Sequence, residues 1–73
     1  MLEANEFFAY IKNHYQIKGQ EEIIQNVINF VYSRTNWGIS YKSYALMQML
    51  GSLHIKESEV LEFLTKAAEN ADR

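Results

Sequence analysis

Ile23-Ile24-Gln25-Asn26-Val27-Ile28-Asn29-Phe30-Val31-Tyr32 admits two readings. It is rich in β-branched and aromatic residues, the types that favour strands. A half-buried strand alternates apolar and polar residues with a period of two, and this segment does not. Ile23, Ile24, Val27, Ile28 and Val31 recur at helical spacing, while Gln25, Asn26 and Asn29 fall on the opposite face. Glu21 and Glu22 open the segment and Arg34 closes it, the order a helix dipole favours. The spacing predicts a helix over 20–34.

The same period continues on both sides. Ala4, Phe7, Phe8, Ile11 and Tyr15 form one stripe and predict a helix over 2–15, with Glu3 and Glu6 in its first turn and Lys12 and His14 near its end. Gly19 follows, where a left-handed residue would turn the chain back. Beyond the connection Thr35-Asn36-Trp37-Gly38, Ser40 is the expected N-cap of a helix over 40–50. Tyr41, Tyr44, Ala45 and Gln48 line one side of that helix, and Leu46, Met49 and Leu50, continued by Leu53, line another, which predicts a central position. After Gly51-Ser52-Leu53-His54-Ile55, the residues Val60, Leu61, Leu64, Ala67, Ala68 and Ala71 predict a helix over 56–71. Glu57, Glu59 and Glu62 load its first half, and Glu62 and Lys66 stand in the favourable i, i+4 order. The predicted architecture is all-α: one domain over 1–73, a compact bundle of four short helices.

Composition supports a folded chain. Of 73 residues, 48% are hydrophobic, and the formal charge is only −2, which argues against disorder. The chain has no Cys and no Pro, so neither a disulfide nor a cysteine-based zinc site stabilises so small a core, and self-association is expected. The opening Met1-Leu2-Glu3-Ala4-Asn5-Glu6 lacks the basic and apolar regions of a signal peptide. No run approaches the roughly 20 apolar residues that span a bilayer. A cytoplasmic protein is expected. Phe, Tyr, Met, Ile, Asn and Lys, encoded mainly by A·T-rich codons, far outnumber Gly, Ala, Arg and Pro. That bias points to an A·T-rich genome, such as a low-G·C bacterium, a phage or a plasmid.

Charge is unevenly placed. Residues 1–22 carry four acids against two bases, and residues 57–73 five against two. Residues 23–56 carry Arg34, Lys42 and Lys56 and no acid. The same segment holds Phe30, Tyr32, Trp37, Tyr41 and Tyr44. One explanation is that the middle helices are the most buried and therefore the least charged. The other is a mildly basic aromatic contact surface, since aromatics and Arg dominate binding hot spots. The candidate partner-binding residues are Arg34, Trp37, Tyr41, Lys42 and Tyr44, the rings as apolar anchors and the cations as partners for acids. Trp37, beside Gly38, is either a cap on the core or an exposed anchor.

Chemistry finds little foothold. Ser33, Ser40, Ser43, Ser52 and Ser58 lie outside any G-x-S-x-G pattern, and no glycine-rich phosphate loop is present. His14 and His54 stand far apart with no H-x-x-x-H spacing. No catalytic residue, metal or cofactor is expected. A membrane-surface helix needs a basic polar face, and the terminal helices are acidic. Tyr44 to Ser52 resembles the first helix and turn of a DNA-binding helix-turn-helix. Val60, however, follows Gly51 by nine residues, and Glu57, Glu59, Glu62 and Glu69 on the following helix oppose phosphate contact. The leading expectation is a non-enzymatic helical adaptor, inhibitor or regulator that binds another protein and pairs with itself. The alternative is a DNA-binding regulator using the third and fourth helices.

Overall fold

The computed structural model describes residues 2–71, excluding the side chains of Leu2 and Ala71. The stripe position assigned to Ala71 therefore lies outside the described side chains. Four α-helices follow one another: α1 (Leu2–His14), α2 (Glu21–Tyr32), α3 (Ile39–Met49) and α4 (Glu57–Ala71). A single 3₁₀ turn, Gly51–Leu53, lies between α3 and α4. No strand occurs among the described residues, so the β-branched segment is helical as its spacing requires.

The stripes converge on one core. Ala4, Phe7 and Ile11 of α1 meet Ile24, Ile28, Val31 and Tyr32 of α2, Ala45 and Leu46 of α3, and Val60 and Leu64 of α4. Phe7, Ile11, Ile28 and Leu46 are fully enclosed. Burying one such side chain contributes about 1.5–3 kcal/mol. Ile17, Leu50 and Ile55, all outside the helices, close the core from the connections. Phe63, which the α4 stripe omits, is half-buried with its ring 5.2 Å from Phe7 and 5.0 Å from Tyr10.

Several local expectations are corrected. Gly38, not Ser40, is the N-cap of α3, with extended backbone and no side-chain cap, and Ser40 falls inside the first turn. Arg34 lies two residues beyond the end of α2, and its guanidinium sits over the Phe30 ring rather than on the last carbonyls. Lys66 reaches Glu6 of α1 at 3.6 Å rather than back to Glu62, because the two helices pack side by side. Only one side of α3 is buried. Ala45, Leu46 and Leu50 face inward with Ser43, while Tyr41, Tyr44, Gln48 and Met49 are exposed. Ile23, placed on the α2 stripe, is exposed as well.

Two turns need left-handed backbone. Gly19 takes φ +88°, as its position between α1 and α2 predicts, and its N–H donates to Glu21 Oε1 at 2.7 Å. The second is His54, at φ 56°, which ends the 3₁₀ turn. A side chain there carries a steric cost that glycine would not.

Candidate functional site

The exposed aromatic residues gather at the junction of α2 and α3. The cause is local. Phe30 lies in the last turn of α2, and Arg34 follows by four residues, the interval that stacks side chains along a helix. Ser33 secures the helix end, its Oγ donating to the Phe30 carbonyl at 2.8 Å. The chain then turns through Trp37, whose N–H donates to the Arg34 carbonyl at 3.1 Å, and enters α3 at Ile39. Tyr41 follows one turn after Trp37.

These residues form a continuous stack. The Arg34 guanidinium carbon lies 4.5 Å above the Phe30 ring. Phe30 meets Trp37 edge-on with centroids 6.0 Å apart, and Trp37 meets Tyr41 at 4.6 Å. Such separations are those of favourable aromatic and cation–π pairs. Tyr41 is 58% exposed and Phe30 44% exposed. Trp37 is half-buried: it rests against the core on one side and joins the ring cluster on the other, which combines the two alternatives for it. Tyr44, 65% exposed, stands one turn further along α3.

Lys42 turns away from the stack. Its Nζ is 3.5 Å from the Tyr32 carbonyl, a long contact, and it borders a cleft of about 550 Å³. Trp37, Gly38 and Ile39 line one part of that cleft, and Glu3 of α1 with Leu64, Ala67 and Ala68 of α4 line another. The five candidate residues thus divide between two adjoining features: Arg34 and Tyr41 belong to the ring stack, Lys42 to the cleft, and Trp37 to both, with Tyr44 flanking on α3. Phe30 is the member that sequence reasoning left out of the site. Its place four residues before Arg34 and seven after Ile23 is the signal that would have found it.

Two polar features lie elsewhere. Tyr15 donates its hydroxyl to Glu59 Oε2 at 2.7 Å, linking the end of α1 to the start of α4. That bond lifts the Tyr15 pKa to about 12 and holds the Glu59 carboxyl below its ordinary value. Nearby, His14 Nδ1 donates to the Tyr10 carbonyl at 2.9 Å, and the two rings stack at 4.2 Å. The Tyr32 and Ser43 hydroxyls are buried without a hydrogen-bond partner among the described residues. Burial raises the Tyr32 pKa, with Glu3 and Glu6 adding to the effect. Among the described residues, no group of three His, Cys, Asp or Glu side chains is placed to hold a metal ion.

Fold and surface together describe a four-helix all-α domain that keeps an aromatic and guanidinium face in water. Comparison with protein-family models, with curated proteins and with solved structures found no match. No helix among the described residues is long and apolar enough to cross a membrane.

Proposed function

We propose that the domain is a non-enzymatic protein-interaction module whose contact face is built from Phe30, Arg34, Trp37, Tyr41 and Tyr44, with Lys42 at its margin. One observation carries this reading: the Arg34–Phe30–Trp37–Tyr41 stack, exposed at Arg34, Phe30 and Tyr41 and set in a segment without an acidic residue. Large rings left in water are costly, and a contiguous patch of them favours association. Rings and Arg held in place by one another also lose little freedom on binding, the condition that makes such residues hot spots. The partner that fits presents apolar side chains flanked by acids, since Arg34 and Lys42 are the charges here. The same face suits pairing with a second copy, with the exposed Ile23 and Met49 adding apolar area.

The test compares wild type with Trp37→Ala and Tyr41→Ala, in capture from extracts of the source cell and in sedimentation. Each variant should keep its helical circular dichroism and lose at least about 1 kcal/mol of binding. Unchanged capture by both folded variants would refute the face. Sedimentation as monomer alone at high protein concentration would refute the self-pairing.

A further inference from the structure

Lys42 and Glu3 border the same cleft from different helices. Among the described residues the salt bridge is Lys66 to Glu6, and neither Lys42 nor Glu3 takes part in one. The remaining walls are mostly apolar: Trp37, Ile39, Leu64, Ala67 and Ala68. Its volume of about 550 Å³ falls within the range of roughly 300–1,000 Å³ typical of small-molecule sites. The space exists because Gly38, Ala67 and Ala68 present so little side chain to it.

The two charged margins differ in sign. Beside Lys42, the start of α3 is capped by Gly38 without any side-chain acceptor, and the first turn of α3 carries no acid. The backbone N–H groups there reinforce the positive charge of Lys42. Glu3 stands in the first turn of α1 and places a carboxylate at the other margin. A simple anion would meet Lys42 but also face Glu3, and a simple cation the reverse. A ligand bearing both charges leaves neither margin opposed.

We infer that this cleft binds a free α-amino acid with a large apolar side chain, its carboxylate on Lys42 and the start of α3, its ammonium on Glu3, and its side chain against Trp37, Ile39 and Leu64. An aromatic side chain fits best, because part of the Trp37 indole borders the cleft and aromatic rings also meet edge to face. This site shares Trp37 and Lys42 with the proposed contact face; Glu3 lies outside that face, so its substitution tells the two readings apart.

Trp37 is the only tryptophan of the chain, so its fluorescence reports the cleft directly. The experiment titrates the whole protein with L-phenylalanine, 3-phenylpropionate and 2-phenylethylamine, which share a ring and differ in charge. Phenylalanine should give a saturable change with a dissociation constant on the order of 1 mM, and each singly charged analogue should bind at least about tenfold more weakly. Lys42→Gln should remove the advantage of the carboxylate, and Glu3→Gln that of the ammonium. Both substitutions are conservative in size, and circular dichroism checks that each variant is folded. No saturable response to phenylalanine, or an analogue that binds as tightly, would overturn the inference.

Discussion

Two clusters of aromatic residues use the same chemistry in opposite ways. In the first, Phe7 lies among Tyr32 and Phe63, with Tyr10 beyond, at centroid separations of 5.0–6.1 Å. In the second, Phe30, Trp37 and Tyr41 are separated by 4.6–6.0 Å. Ring geometry does not tell them apart; exposure does. Phe7 is 0% exposed and Tyr41 is 58% exposed. The first cluster adjoins cross-helix polar links, Tyr15 to Glu59 and Lys66 to Glu6, whereas the second ends in a guanidinium in water. The first holds helices together. The second leaves Phe30 and Tyr41 largely in water, which is the physical reason to propose it for binding.

The largest expected effect divides the clusters outright. Phe7→Ala should cost about 3–5 kcal/mol, a large share of the stability of a small domain, whereas Tyr41→Ala should change stability by no more than about 0.5 kcal/mol. Chemical denaturation measures both. Comparable losses would show the exposed cluster to be part of the folding core.

A smaller effect is expected at the polar link. Tyr15→Phe should cost about 1 kcal/mol, since the lost bond is charge-assisted but only half-buried. It should also flatten the pH profile of stability at both ends. Glu59 titrates below its ordinary range when folded, so its contribution is complete above that range and is lost as pH falls through the lowered value. Tyr15 titrates near 12 when folded against 10 ordinarily, so its contribution is complete below pH 10 and is lost as pH rises through 12. A variant with the wild-type pH profile would show that the bond does not form in solution.

Tyr32→Phe sharpens the account of the inner cluster. The buried hydroxyl has no partner among the described residues, so removing it should leave stability unchanged or raise it by up to about 1 kcal/mol, as thermal melting would show. A loss of that size would mean that the hydroxyl is hydrogen-bonded in solution. The smallest effect lies outside both clusters. His54→Gly should gain about 0.5 kcal/mol, because relief of left-handed backbone outweighs the added freedom of the unfolded chain.

The contrast between the clusters also marks what could be read from the chain. Helical spacing identified Ala4, Phe7, Ile11, Ile24, Ile28, Val31, Val60 and Leu64 as core, because burial on a helix repeats with its turn. It passed over Ile17, which belongs to a connection and has no period, and Phe63, which stands beside the α4 stripe and is reached only because α1 brings Phe7 and Tyr10 to it. On α3 both sides are apolar, so spacing had no means of choosing between them; packing against α2 and α4 buries Leu46 and leaves Tyr41 and Tyr44 out. The uneven charge marked out residues 23–56 without separating the buried part of that segment from the exposed part. The cleft beside Lys42 was not legible at all, since Glu3, Lys42 and Leu64 are brought together by tertiary packing alone.

The central claim is that folding and binding reside in different aromatic clusters. Its most direct measurement is a crossed comparison of Tyr41→Ala and Tyr15→Phe, each scored for thermal midpoint and for capture of partner or second copy. The account predicts that Tyr41→Ala keeps its midpoint and loses capture, while Tyr15→Phe lowers its midpoint and captures normally once folded. Capture retained by Tyr41→Ala, or lost equally in both variants, would contradict it.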